Sequence, residues 1–564
     1  MGIPSYFSYI IKNHANILNT IHYHKTVATT PFTRLYMDCN SIIYDAFYKL
    51  EKSDKYSSMD FLSIESHIIS DVILNIKSYI HMINPSTSIF IAFDGVAPFA
   101  KMEQQRTRRY KSQFLSSLPF SSKPASGNKV KWNTSSITPG TNFMNMLSLN
   151  IAKEFMYKEK EYSVEQIIVS GSTEPGEGEH KMYAHLRDFS TNNDNNAIYG
   201  LDSDLIMLSI FHTIYCNNIY IFRESPVFGD VVKNNKKNNF NSNDNTLPLF
   251  LNIHKLMKSI SIEMNCSTVY DRYRVFDYVF LCFFLGNDFM PHFPSLNIRT
   301  HGIQVLLDTY RKVFSKDSNY LLTKNGEHII WKNVNLFVKE LAKNEHTLLL
   351  QEYEIRDKWD KRHWSETTAK DKEEIIMNVP VIYRQEEKYI CPIEPHWETR
   401  YYSTLFDKHN DTTSTVKSYV SDVQPTDFIK SICINYLEGL EWVYTYYTKG
   451  CSDWKWKYNY HYPPLLVDLI KYIPHSFNTF IPSNNNRPFS PYAQLCYVLP
   501  SAQFVLLPQS IRTHLLQKHP DLSFINMKFQ WAYCRYFWEA HNINKPICLK
   551  DLEQLELDFS HIVK

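Results

Sequence analysis

Three short apolar runs in the first half of this chain close on an aspartate. RLYMD (34–38) ends at Asp38, SIFIAFD (88–94) at Asp94, and AIYGLD (197–202) at Asp202, with Asp204 two residues on. A fourth run, QIIVSG (166–171), leads into STEPGEGEHK, which offers Glu177 and Glu179 on a glycine-rich turn before a helical pattern. Amphipathic stretches such as 60–83 and 141–160 separate the runs and are long enough for crossover helices. This alternation predicts an α/β fold with a mostly parallel, doubly wound sheet flanked by helices. In a parallel sheet every strand points the same way, so the acids gather at one carboxyl edge, where such folds place their ligands. Farther along, the apolar segment FDYVFLCFFLG stops at Gly-Asn-Asp and adds Asp288.

A single aspartate after a strand is ordinarily a helix cap or a turn former. Its repetition on three strands is what points to metal binding. Seven carboxylates on one edge repel one another, and unmatched they must hold protons or weaken the fold. An all-oxygen ligand set favours hard cations, Mg²⁺ or Mn²⁺. The ten cysteines are scattered, with no CxxC pair and no HExxH, which argues against zinc and suits a reducing compartment. Two divalent ions ~3.5–4 Å apart are the standard means of activating a water and stabilising the leaving oxygen in attack on a phosphodiester.

With a net charge of +2 the chain has no global positive field, so any polyanion site must be local. Residues 101–131 carry eight basic side chains against one acid, Glu103. Within KMEQQRTRRY, helical spacing puts Lys101, Gln105, Arg108 and Arg109 along one face, starting just beyond Asp94. A cationic face beside a metal site is where a phosphate end would be held. No apolar run reaches the ~18 residues that span a bilayer, so a soluble, cytoplasmic protein is expected. The Asn-, Ile- and Tyr-rich composition suits an AT-rich genome, such as that of a protist or a large DNA virus.

Two segments, 115–136 and 233–246, have the composition of surface insertions, and 356–374 that of a solvated helix or a linker. The expected organisation is a catalytic domain over 1–345 and a mainly helical region over 346–564 that packs on it and completes the site.

The motifs MDCNSIIYDAF, FDGVAPFAKMEQQRTRRYK, SGSTEPGEGEHKM, GLDSDLIMLS, FLGNDFMPHFP, YLEGLEWVYTYYTKG and WKWKYNYHYPP stand in the order in which the XRN family of eukaryotic 5′→3′ exoribonucleases carries them. The chain resembles that family from MGIPSYFSYI at its start to beyond residue 460. The resemblance implies a PIN and flap-endonuclease-like fold. It also implies processive, two-metal hydrolysis of 5′-monophosphorylated single-stranded RNA to mononucleotides in RNA decay. Family metal acids carry over to Asp38, Asp94, Glu177, Glu179, Asp202, Asp204 and Asp288, and the 5′-phosphate pocket to Lys101, Gln105, Arg108 and Arg109. The resemblance further implies that this pocket is too small for a cap or a triphosphate. The likeness leaves room for decapping factors as partners and implies a monomer.

Three departures stand out. Tyr44 replaces the histidine that, with a tryptophan, sandwiches the leading bases in the family; a tyrosine ring keeps the π-face but not the cationic contribution. The tryptophan is Trp454 or Trp456, with Trp454 favoured. Phe99 stands where the family often has a basic residue, which would weaken backbone contact near the entrance. The chain ends near the end of the family's catalytic region, so a minimal, core-only version is expected. Two other readings stay open. A flap endonuclease would need a helix-hairpin-helix element, which the sequence lacks, and a scaffold that has lost catalysis would be expected to have lost metal acids first.

Overall fold

The computed structural model describes residues 2–562 apart from 4, 15, 21–30, 119–131, 201, 224–247, 265–270, 315–319, 324–326, 407–424, 483, 485 and 525. The expected insertion at 233–246 and most of that at 115–136 lie outside the described residues.

A seven-stranded sheet is built from β1 (Leu18–Thr20), β2 (Arg34–Asp38), β3 (Ser88–Ala92), β4 (Gln166–Ser170), β5 (Asn195–Tyr199), β6 (Asn218–Arg223) and β7 (Leu249–Asn252). Its spatial order is β1-β7-β6-β5-β2-β3-β4. The five strands from β6 to β4 are parallel, while β7 and β1 add antiparallel at one edge. Strands β3 and β5 are buried along their whole length, and β3, SIFIA, accordingly reads as a near-continuous apolar run rather than an alternating one. The chain proceeds from β2 outward through β3 and β4, then crosses back to place β5 on the other side of β2. The carboxyl ends of β2, β3 and β5 therefore meet at the point where strand order reverses, the position at which open α/β sheets form a crevice.

The helices that position the site are α1 (Asn40–Glu51), α2 (Phe61–Ile83), α3 (Phe99–Ser116), α4 (Asn142–Phe155), α5 (Gly178–Phe189), α6 (Asp204–His212), α7 (Arg272–Cys282), α8 (Glu345–Asp360), α9 (Pro425–Thr448) and α10 (Pro491–Val498). Helix α2 begins where the Asp60 side chain accepts the Ser63 amide at 2.7 Å, and Ile64, Ile68, Val72, Ile76 and Ile80 bury one stripe of it. One face of the sheet packs with α1, α2 and α4 in a core drawn from residues 32–250. The other face shares a core with Cys433–Tyr447 of α9, so residues beyond 346 help to enclose the sheet. A third cluster joins Val96, Phe99 and Met102 to α10 and the chain's last helix.

The charged stretch 356–374 is not solvated throughout. Arg356 at the end of α8 is fully buried, and its guanidinium donates to Glu387, which also takes Arg384 Nε at 2.7 Å. A buried cation needs such a paired carboxylate, and Glu387 lies 31 residues away in sequence, too far for local composition to reveal. Among the described residues no helix is long and apolar enough to cross a membrane.

Candidate active site

Asp38 is the last residue of β2, Asp94 lies two residues beyond β3, and Asp202 lies three beyond β5. Asp204 opens α6, Glu177 and Glu179 flank the first residue of α5, and Asp288 follows the 3-10 extension of α7. The seven acids share one electrostatic neighbourhood. Burial pushes Asp38 well above the usual carboxylate range, and Asp94, Asp202 and Glu177 push it further. Burial likewise raises Glu179, helped by Glu177 and Asp204, and takes Asp204 to about 7 with Asp288 adding to the effect. The fold has brought the predicted set to one place, and there Asp38, Glu177, Glu179 and Asp204 resist ionisation while Asp202 and Asp288 do not.

Two glycines allow the approach. At Gly2 a Cβ would sit 2.0 Å from Asp204 Oδ1, and at Gly178 it would sit 2.8 Å from Asp38 Oδ1. The Gly178 amide donates to Asp94 Oδ1 at 2.7 Å, a helix N-terminal donor aimed at an acid. Lys101 is turned inward. Its Nζ stands 2.5 Å from Glu177 Oε1 and 2.7 Å from Asp288 Oδ2, and these acids together with Glu179 outweigh burial and hold its pKa well above the usual value.

Three residues of the site escaped the sequence reading. The Tyr446 hydroxyl on α9 donates to Glu177 Oε2 at 2.7 Å, and Tyr447 hydrogen-bonds to Asp204. His180 stacks on Tyr446 with ring centroids 3.6 Å apart and places Nε2 3.9 Å from Glu179 Oε1. Burial lowers its pKa well below the ordinary value, so the imidazole is neutral, and with Glu177 and Glu179 it forms a group able to hold a cation. The only sequence signals were the EHK after the glycine-rich turn and the tyrosine pair in YTYYTKG, and neither shows which faces the acids. Glu179 Oε2 and Asp204 Oδ1 are buried acceptors without a hydrogen-bond donor. Orphaned carboxylate oxygens of this kind fit a divalent cation, and these acids are the residues that would hold it.

The rest of the cationic face spreads around α3. Arg109 donates to Thr138 Oγ1 at 2.5 Å and to the Gln105 carbonyl at 3.3 Å, while Gln105 Oε1 accepts from Gln494 on α10. Burial draws Arg109 down to about 10, and nearby Tyr44 partly offsets the shift. Arg108 is exposed. Tyr44 is half-buried on α1 against the core. The two tryptophans differ in surroundings. Trp456 stacks on Trp442 at 5.2 Å and donates to Glu438, as a core residue does, whereas a Cβ at Gly176 in the glycine-rich turn would touch Trp454 at 3.9 Å. Phe99 is not at an entrance. It is 3% exposed, packs on Phe489 and Tyr497, and carries the Lys457 ammonium 5.2 Å above its ring. The apolar side chain is needed to seat α3 on the later region, which itself supplies a cation there.

Residues 1–225 match the model described as the XRN 5′-3′ exonuclease N-terminus, and residues 269–394 and 385–530 match the Xrn1 helical domain. The chain is 25% identical to 5′-3′ exoribonuclease 2 of Debaryomyces hansenii, covering 94% of this chain and 67% of that protein. It is 27% identical to human 5′-3′ exoribonuclease 1 over 90% of this chain and 31% of the relative. Against the Saccharomyces cerevisiae 5′-3′ exoribonuclease 1 the figures are 25%, 91% and 40%. The chain thus spans about two thirds of one set of relatives and well under half of the other. With both family models matched in order around one acidic edge, the chain belongs to the XRN 5′-3′ exonuclease family.

Proposed function

We propose that this protein degrades single-stranded RNA processively from a 5′-monophosphate end, releasing nucleoside 5′-monophosphates by two-ion hydrolysis with Mg²⁺ or Mn²⁺. The class of activity, a 5′-3′ exoribonuclease and so a phosphodiester hydrolase, comes with the family and with its named relatives. The family also implies divalent metal in general terms. The observation that carries the finer reading is the meeting of seven acids, two of them with orphaned oxygens, beside a cationic helix. Bound there, two ions would supply Lewis acidity on both sides of the scissile phosphate.

The chain's own residues do the rest. Asp38, Asp94, Glu177, Glu179, Asp202, Asp204 and Asp288 are the ligand set, with Tyr446 and Tyr447 fixing the rotamers of Glu177 and Asp204. Lys101, Gln105, Arg108 and Arg109 hold the 5′-phosphate, with a pocket too small for a cap or triphosphate. Tyr44 and Trp454 sandwich the leading bases and keep the strand between cuts. Residues 1–345 supply the catalytic domain and 346–564 the helical region that completes it. On this reading the protein acts as a monomer in cytoplasmic RNA decay, on ends exposed by decapping.

The test is one RNA prepared with four 5′ ends. Purified protein with Mg²⁺ should reduce the 5′-monophosphate form to mononucleotides and spare the 5′-hydroxyl, triphosphate and capped forms. Arg109→Ala should narrow the gap between monophosphate and hydroxyl ends by about 10–100-fold, since a charge-assisted contact to phosphate is worth ~1.5–3 kcal/mol. Equal cutting of all ends by the wild type would remove the phosphate pocket from the account.

Stacking gives a second test. A base–aromatic contact is worth ~1–3 kcal/mol, so Tyr44→Ala or Trp454→Ala should speed strand dissociation roughly tenfold or more. Gels of a long end-labelled RNA should then show shortened intermediates, with the first cut nearly as fast as before. Trp456→Ala should instead lower stability, because its ring packs against the core and stacks on Trp442. A Tyr44→Ala protein that digests long RNA without intermediates would show that the strand is held elsewhere.

A further inference from the structure

Helix α3 has two occupied flanks. Gln105 and Arg109 face Thr138 and Gln494 on one side. On the other side Glu103, Gln104, Thr107, Arg108 and Lys111, spaced by three and four residues, line a cavity of about 240 Å³. One end of this cavity opens on Asp288 and Gly2, so it begins at the acidic cluster. Its far wall comes from the later region, through Tyr458, His461, Trp538 and His541.

Its lining has the chemistry of a nucleotide site. The His461 and His541 rings stack with centroids 5.2 Å apart and an interplanar angle of 17°, and Trp538 lines the same cavity. Two of the cations at the cavity are matched, Lys457 by Glu103 at 2.9 Å and Arg299 by Glu539. Lys111 donates to the Trp538 carbonyl. Arg108 is exposed, and its charge acts on Asp202 and Asp288 at the acidic end of the cavity. A solvent-facing guanidinium at the acidic end and a set of rings at the other are the two halves of a phosphate-and-base recognition site.

We propose that this cavity binds the nucleoside 5′-monophosphate after it is cut and is the route by which it leaves. The inference rests on the exoribonuclease reading and answers a need that reading creates. A processive enzyme must discharge a nucleotide at every step without opening the side on which the strand is held. Arg108 stands at the border of both flanks and can follow the product phosphate from one to the other, while the next 5′-phosphate takes the place vacated at Arg109.

The test fills the cavity. Thr107→Trp projects an indole from α3 into the space and touches neither the acids nor the Arg109 flank. With Mg²⁺ and 5′-monophosphate RNA, steady-state mononucleotide release should fall at least fivefold, with the single-turnover rate of the first cut within twofold of wild type. Adenosine 5′-monophosphate should inhibit the wild type in a mixed manner, through the 5′-phosphate pocket and through this cavity, and the component that does not compete with RNA should weaken at least tenfold in the variant. His541→Ala, which removes one wall without adding bulk, should weaken the same component and serves if Thr107→Trp does not fold. Calorimetry on the Asp204→Asn protein separates the two readings, because it needs no turnover. Binding of adenosine 5′-monophosphate in this cavity should be lost with Thr107→Trp and kept within twofold with Arg109→Ala. Inhibition purely competitive with RNA, binding unaffected by Thr107→Trp, or weaker binding of RNA itself in that variant would each overturn the proposal. Failure of the wild type to cut any RNA would count against the function and leave the calorimetric result standing on its own.

Discussion

Asp204→Asn should lower the rate of RNA cleavage by about 10³-fold or more and raise the melting temperature of the protein in EDTA. The first effect follows from removing a charged ligand, since metal stabilisation of the transition state is worth several kcal/mol and each ~1.4 kcal/mol is a factor of ten. The second follows from the environment of Asp204. Burial and Asp288 take its pKa to about 7, so at pH 8 without metal the folded protein must ionise a carboxyl that resists ionisation. The neutral amide removes that cost, on the order of 2–4 kcal/mol, which for a chain of this length is a rise of roughly 2–4 °C. A melting temperature that falls in EDTA would mean that Asp204 is a structural hydrogen-bonding residue and that the ligand role belongs elsewhere.

The same shifts set a pH dependence. A carboxyl whose folded pKa is raised binds its proton more tightly in the native state than in the unfolded one, so stability falls as pH rises from the unfolded pKa through the folded value. Asp38, Glu179 and Asp204 all shift this way. In EDTA the wild type should therefore melt at a lower temperature at pH 8 than at pH 5, and millimolar Mg²⁺ at pH 8 should recover the difference. Asp288 runs the other way. Burial opposes its charge, but Lys101 holds it far below the ordinary range, so its contribution is constant over this window.

The acidic edge was legible because its signal is periodic. A strand that ends on an acid is read from five or six consecutive residues, and a parallel sheet converts sequence repetition into spatial convergence. β6 and β7 went unread, and so did β1 at three residues, which is too short for a pattern. Tyr446 and Tyr447 were beyond reach for a different reason. Their partners lie some 250 residues away, and on a helix rich in aromatics nothing local distinguishes a tyrosine facing an acid from one facing the core. Helical periodicity put Lys101, Gln105, Arg108 and Arg109 on one face, but a wheel gives directions and not partners. It could not show that Lys101 turns to the acids while Arg109 turns to Thr138.

That orientation makes Lys101 the shared counter-ion of two buried acids. Lys101→Met should destabilise the protein in EDTA at pH 8 by about 3–5 kcal/mol, because it strips the shared counter-ion from two buried carboxylates. It should also depress cleavage, since Glu177 and Asp288 lose the ammonium that orients them. The lysine itself does not titrate in the working range. Its folded pKa is raised, so its contribution is complete below the unfolded value and is lost only when pH climbs through the raised one. Any change in the penalty between pH 8 and pH 5 therefore reports the acids, and the penalty should shrink at pH 5 as protonation of Glu177 and its neighbours relieves the repulsion. A double change, Lys101→Met with Asp288→Asn, should recover part of the lost stability, because neutralising one partner leaves fewer buried charges unmatched. A residue that served only to grip a 5′-phosphate would behave otherwise. Its loss would raise the KM for 5′-monophosphate RNA, leave melting in EDTA unchanged at every pH, and show no coupling to Asp288. Denaturant melts of the two single variants and the double, at pH 5 and pH 8 in EDTA, decide between a lysine that binds substrate and one that holds the catalytic acids in place.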